Sequence, residues 1–306
     1  MKNKAFTLAE VLIVLTLVGF LFTLTLPNLI QKQGSVKNIE HAKAAQEKLQ
    51  TAFEMTSKKY NGANPMDWPE VRNSSNKSEA IVKELANNLQ IMSYCGNSAK
   101  GCFSPNGYRT LNGAPTKVIT DEMEPIRKFL IDEDHYLSDN DNADDENNSD
   151  MDTNNEAEQQ EKALTYIEAS PAATSTYISF LDGGSAAFKT STTKCNGKLP
   201  STDTLERPLC GVIYLDINGA AIPNMLGVDV FGFYISGNNV LPMGFYGDQS
   251  SFEYYCLRET PKVNKYNGLG CTAWALKNKN MEYRKCQAGS RLSWTTSTRC
   301  DVPPKK

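Results

Sequence analysis

The chain has 306 residues with a formal net charge of −3, 40% hydrophobic and 22% charged residues. This is an ordinary globular balance that by itself singles out no charged partner. The average hides an asymmetry, because residues 132–161 carry 13 Asp or Glu and no Lys or Arg, which leaves the remainder at about +10. The length accommodates one extended helix plus one or two domains.

The chain opens Met1-Lys2-Asn3-Lys4-Ala5, followed by an apolar run over residues 6–26 whose one charge is Glu10. At 1.5 Å per residue a helix over that run is about 31 Å long, the thickness of a bilayer core. Lys2 and Lys4 precede it, so the positive-inside rule leaves the leader in the cytoplasm and the rest on the far side. A secretory signal peptide would end its apolar stretch in a small-x-small cleavage site, and Leu24-Thr25-Leu26-Pro27-Asn28 offers none. A plain signal anchor fits the length. Neither reading accounts for Glu10, since a carboxylate at mid-helix in lipid costs roughly 2.5–3.5 kcal/mol and is by default a functional residue with a partner.

The segment Lys4-Ala5-Phe6-Thr7-Leu8-Ala9-Glu10-Val11-Leu12-Ile13-Val14-Leu15 resembles the start of the prepilin family, the type IV pilins and the pseudopilins of type II secretion. The resemblance implies cleavage between Ala5 and Phe6 by a prepilin peptidase, with N-methylation of Phe6. Glu10 then becomes the fifth residue of the mature chain and Pro27 the twenty-second, where the family carries an assembly glutamate and a helix-kinking proline. One departure is Ala5, where the family usually has glycine. The resemblance implies an inner-membrane, single-pass protein with its C-terminal domain in the periplasm or on the cell surface. Its partners would be the peptidase and other pilin or pseudopilin subunits.

Helical spacing continues past Pro27 through Val36, Ile39, Ala42, Ala45, Leu49, Ala52, Phe53 and Thr56, with Gly34 a weak point and an end near Lys59. The domain plan is therefore a leader over 1–5, a pilin helix over 6–59 with 6–26 in the membrane, and an α+β domain over 60–306. A loop over 61–78 and a short helix over 78–89 follow the long helix. The Asp-, Asn- and Glu-dominated segment 131–161 buries too little apolar surface to order itself, and reads as a disordered acidic insertion. The pattern then turns to strands at 175–181, 186–191, 211–216, 230–235 and 240–243, joined by turns such as Asp182-Gly183-Gly184-Ser185 and Gly237-Asn238-Asn239. The fold class predicted is α+β, a helix packed on an antiparallel sheet.

Eight cysteines, Cys95, Cys102, Cys195, Cys210, Cys256, Cys271, Cys286 and Cys300, have no C-x-x-C spacing and no neighbouring histidine. Disulfides in an oxidising compartment are the favoured reading. Sequential pairing is a guess from locality among 105 arrangements.

The segment Asp216-Ile217-Asn218-Gly219 … Pro223-Asn224 … Gly227-Val228-Asp229 resembles a loop of pilin-like proteins. Its plain reading is a turn whose Asp and Asn side chains bond backbone amides. The sharper one is a calcium site on Asp216, Asn218 and Asp229, although calcium wants six to eight oxygens. No catalytic motif emerges, and neither His41 nor His135 looks like a general base. The function predicted is a structural subunit, a pseudopilin or minor pilin. The alternative is a tip adhesin or a nucleic-acid-binding pilin on the same anchor, weakly favoured by the basic remainder.

Overall fold

A computed structural model describes residues 8–119, 175–190, 208–245 and 264–286, together with 195, 197–198, 252, 255–256, 292, 294 and 300. Within residues 24–32 it describes backbone only. The leader, the Ala5–Phe6 cleavage position and the acidic segment 131–161 lie outside the described residues.

Helix α1 spans Leu8–Lys59 in one continuous run of 52 residues. Its C-terminal part is amphipathic in fact as in pattern: Ile39, Ala42, Leu49, Ala52, Phe53 and Thr56 are buried. The alanines on this stripe let the helix lie close to the sheet beneath it, the flanking Lys and Glu face outward, and Gln46 and Gln50 bond Val240 of the edge strand and Asn238 beside it.

The N-terminal part corrects one expectation. Among the described residues no helix is long and apolar enough to cross a membrane. The apolar stretch whose side chains are described is short, running over residues 8–23 with Glu10 near its start. At 1.5 Å per residue it covers about 24 Å, against about 30 Å of hydrocarbon. A membrane-spanning first half, and with it a single-pass inner-membrane placement, is not supported.

After α1 come α2 (Pro69–Arg72) and α3 (Lys77–Leu85). Pro69 occupies the first turn of α2, where its missing N–H is no loss. Asn76 caps α3 by accepting the Glu79 N–H at 3.2 Å. Strand β1 (Ile91–Gly96) follows, then the two-residue pair β2 (Tyr108–Arg109) and β3 (Pro115–Thr116). The remaining strands are β4 (Thr176–Phe180), β5 (Ser185–Thr190), β6 (Gly197–Lys198), β7 (Pro208–Asp216), β8 (Val230–Ser236) and β9 (Asn239–Pro242). Helix α4 (Thr272–Asn278) comes last.

The main sheet is antiparallel in the order β1-β4-β5-β7-β8-β9, with β6 paired to the start of β7. Every residue of β5 and β8 is buried, because the sheet is covered on both faces. Ile178, Ala186, Phe188, Ile213, Leu215, Phe231 and Phe233 pack on one face with the stripe of α1 and with Trp274. Tyr177, Ala187, Val212, Tyr214, Val230 and Tyr234 pack on the other with Phe103, Tyr108, Val118, Tyr255, Tyr266 and Leu269. The result is three layers: helix, sheet and a shell of loops.

Of four disulfides, Cys95–Cys102 and Cys195–Cys210 fasten loops to β1 and β7, and Cys256–Cys271 and Cys286–Cys300 join segments outside the strands to one another. They are neighbours in sequence, and no cysteine remains unpaired among the described residues. Each staple of about 15 residues is worth about 3 kcal/mol through the entropy it removes from the unfolded chain.

Candidate functional site

Two features stand out at one end of the domain, where α1 leaves it. The first is the helix itself. Asn38 donates its side-chain amide to the Val228 carbonyl at 2.9 Å, and Arg284 reaches Ser35 Oγ at 3.5 Å. Toward the N-terminus of these contacts the described side chains of the apolar run are open to solvent on every side of the helix. Leu8 is 83% exposed, Leu15 66%, Phe20 62% and Leu21 60%. Thr16 and Thr23 return their hydroxyls to the Ile13 and Phe20 carbonyls at 2.8 and 2.7 Å, so the surface they present is methyl rather than hydroxyl. Glu10 is the one acid on this surface and is exposed. Pro27 lies within α1, in the stretch whose side chains are not described.

The second feature is the connection from β7 to β8. The structure brings Asp216, Asn218 and Asp229 together, as the sequence segment suggests. Both aspartates are fully buried. Asp229 accepts the backbone N–H of Asn224 at 2.8 Å through Oδ2 and that of Met225 at 2.6 Å through Oδ1. Asp216 accepts the backbone N–H of Asn218 at 3.1 Å through Oδ1 and the Tyr108 hydroxyl at 2.7 Å through Oδ2. In the orientation that satisfies both of its ends, the Asn218 amide also donates to Asp216 Oδ1 at 2.8 Å and to the Ala221 carbonyl at 3.2 Å.

The rest of the loop is tied down equally. Arg109 donates its N–H to the Asn224 carbonyl at 2.9 Å and accepts from Leu226 at 2.8 Å. Asn224 takes a left-handed conformation, with φ of 51°, and donates its side chain to Ser104 Oγ at 3.0 Å. Gly219 and Gly227 are glycines for a double reason. Each has positive φ, 61° and 75°, and a β-carbon would come within 2.6 Å of the Gly183 carbonyl oxygen or 2.8 Å of the Gly268 carbonyl oxygen.

This geometry does not fit a calcium cage. Each of the four carboxylate oxygens is engaged by a protein donor, and two aspartates with one amide fall well short of the six to eight oxygens calcium takes. Among the described residues no group of three His, Cys, Asp or Glu could hold a metal ion. The side chains do the work of a structured turn. Thermal melts with and without millimolar calcium are therefore expected to superimpose, and a calcium-dependent rise in Tm abolished by Asp229→Ala would overturn that assignment.

The electrostatic state of the pair follows from its burial. Removal from water, with the neighbouring Asp229 charge acting in the same direction, pushes the Asp216 carboxyl up to about 7 against the relief given by Tyr108. Burial likewise raises Asp229, opposed by the amides of Met225 and Asn224. Burial and the Asp216 charge raise the Tyr108 hydroxyl. An acid raised on folding stabilises the fold while protonated. Its contribution is complete below the unfolded value near 3.8 and is lost as pH climbs through about 7. At about 1.4 kcal/mol per pKa unit the amount is a few kcal/mol. Asp216→Asn removes the titration, so its stability relative to the wild type is expected to improve steadily between pH 4 and pH 8 in urea unfolding. A difference independent of pH would contradict this.

Tyr108, Ser104 and Arg109 belong to the loop's support but carry no signal in the sequence that ties them to residues 216–229, because the link is made through the fold. The chain matches no family model, no curated protein and no solved structure.

Proposed function

We propose that this chain is a pilin-like structural subunit, of pseudopilin or minor-pilin type, that assembles with other such subunits through the apolar N-terminal part of α1. The observation that supports this most directly is the exposure of that segment on all sides. A helix apolar all round is stable only when something covers it. Covering one large apolar side chain is worth about 1.5–3 kcal/mol, so burying half a dozen contributes about 10 kcal/mol or more toward association. Parallel helices from neighbouring subunits supply such a cover. The C-terminal part of the same helix is fastened to the sheet, so the domain is joined to the assembling segment through continuous helix backbone.

The order of residues in the N-terminal run supports the same reading. Cleavage before Phe6 by a prepilin peptidase, as in the family the run resembles, would place an ammonium group one helical turn from Glu10. In a helix bundle that pair neutralises an acid otherwise buried among apolar side chains, and it gives neighbouring helices a shared register. Four disulfides suit oxidising surroundings.

The test is photo-cross-linking in cells that express the full chain with its assembly machinery. A benzophenone amino acid replacing Val14 is expected to join copies of the subunit to one another or to other filament subunits, and the cross-linked chains to begin at N-methylated Phe6 by mass. Monomer alone, or an intact Met1 start, would refute the proposal.

A further inference from the structure

Six Asn-Gly pairs occur in the chain, beginning at Asn61, Asn106, Asn112, Asn196, Asn218 and Asn267. In such a pair the glycine backbone nitrogen can attack the asparagine side-chain carbonyl, because glycine has no side chain to block the approach. The fold decides which pair is free to react. The Gly62 N–H donates to the Ser57 carbonyl at 2.9 Å, and that of Gly113 to the Thr110 carbonyl at 2.9 Å. Asn267 is fully buried, and the Gly268 N–H donates to the Tyr255 carbonyl at 2.7 Å. The Asn218 amide is held by Asp216 and Ala221, and Gly219 backs onto the Gly183 carbonyl. Asn196 lies outside the described residues. Asn106 differs from the other described members. Both Asn106 and Gly107 are exposed, in the turn that follows Ser104. Among the described residues neither the Asn106 side chain nor the Gly107 N–H makes a hydrogen bond. The space around the Gly107 α-carbon is open.

We infer that Asn106-Gly107 is a self-modification site whose product loosens the β7–β8 connection. The Gly107 nitrogen loses its proton to solvent and bonds Asn106 Cγ. The bond from Cγ to the amide nitrogen breaks, and ammonia leaves a cyclic imide. Water then opens either carbon–nitrogen bond of the ring. Opening at Cγ gives aspartate on an unchanged backbone. Opening at the backbone carbonyl gives isoaspartate, whose chain runs through the side-chain carbon. Nothing is oxidised or reduced, and water is the only co-reactant. The turn is a place where one extra backbone atom matters. The Ser104 N–H donates to the Tyr108 hydroxyl at 3.1 Å, and that hydroxyl donates to Asp216 Oδ2 at 2.7 Å. Ser104 Oγ accepts the Asn224 side-chain amide at 3.0 Å. Asn106 and Gly107 therefore lie within the short clip from Ser104 to Tyr108 that supports the buried aspartates. Isoaspartate lengthens the clip by one carbon and displaces the Tyr108 hydroxyl, which leaves a buried Asp216 oxygen without its donor. Aspartate at the same place only adds a charge to an exposed turn. The site is independent of the pilin-like reading, because it needs the folded domain alone.

The experiment ages the purified full chain at pH 8 in warm buffer and follows its Asn-Gly peptides by mass spectrometry, with electron-transfer fragmentation to separate isoaspartate from aspartate. Asn106 is expected to convert about tenfold or more faster than Asn61, Asn112, Asn218 and Asn267, where hydrogen-bonded groups must first be released. The rate is expected to rise with pH, since the attacking nitrogen has to lose its proton. Similar rates at the five positions, or an Asn106 that stays unmodified while another converts, would overturn the inference. Melting tests the consequence. Aged wild type is expected to lose Tm in proportion to its isoaspartate content at position 106. Freshly made Asn106→Asp is expected to match fresh wild type, and Asn106→Ser, which forms no imide, to keep its fresh Tm after ageing. An aged wild type with unchanged Tm, or an aged Asn106→Ser that falls as far as the wild type, would sever the link from this turn to Asp216.

Discussion

Asp229→Ala is expected to lower the free energy of unfolding by about 3–5 kcal/mol. The carboxylate accepts the N–H groups of Asn224 and Met225 inside a fully buried loop. Removing it leaves both donors without an acceptor at about 1–3 kcal/mol each, and opens space where packing was tight. Part of the loss is offset because a raised, costly acid is also removed. Asp229→Asn is expected to recover part of the difference, since its amide oxygen still serves one of the two donors. Urea unfolding of the full chain at pH 6 measures both variants. A loss under 1 kcal/mol for the alanine variant would mean that the loop is held mainly by its links to Arg109 and Ser104.

Under the proposed pilin-like function, Glu10→Ala is the second large effect expected, on assembly rather than stability. Glu10 lies far from the core on the exposed part of α1, so the Tm of the domain is expected not to change. Within a bundle, loss of one partner of a buried pair costs about 3–5 kcal/mol, equivalent to a fall in incorporation of at least a hundredfold. The variant is expected to be processed normally and yet be missing from purified filaments. Quantitative immunoblotting of filament and total fractions tests this, and equal recovery of variant and wild type would remove Glu10 from the assembly mechanism.

Much of the architecture was legible in local pattern. The period of Ile39, Ala42, Leu49, Ala52 and Phe53 specified a helix face, and that face lies on the sheet. Asp182-Gly183-Gly184 specified a turn, and β4 and β5 pair across it. Turn chemistry and helical periodicity act over a few residues, so they survive in a one-dimensional reading. Strand β1 escaped that reading. Met92 and Tyr94 are exposed on an irregular edge strand with bulges, and its strand partner among the described residues, β4, is 80 residues or more away in sequence. Helix α4 was missed as well, because its seven residues make under two turns, too few for a helical period to show.

By itself the sequence determined the apolar run with its one acid Glu10, the helix that carries it, the strands β4, β5, β7, β8 and β9 with their turns, and a thiol count suited to four disulfides, because each depends on composition or short-range spacing. Tertiary structure alone decided which oxygens Asp216 and Asp229 have to spare. Tyr108 approaches Asp216 across 108 positions, and each of the four carboxylate oxygens of the pair accepts a hydrogen bond from a protein donor. It also decided that the sheet is covered on both faces, because the loops that cover β5 and β8 come from distant parts of the chain. Burial and hydrogen-bond satisfaction are properties of surroundings, and those surroundings exist only once the chain has folded.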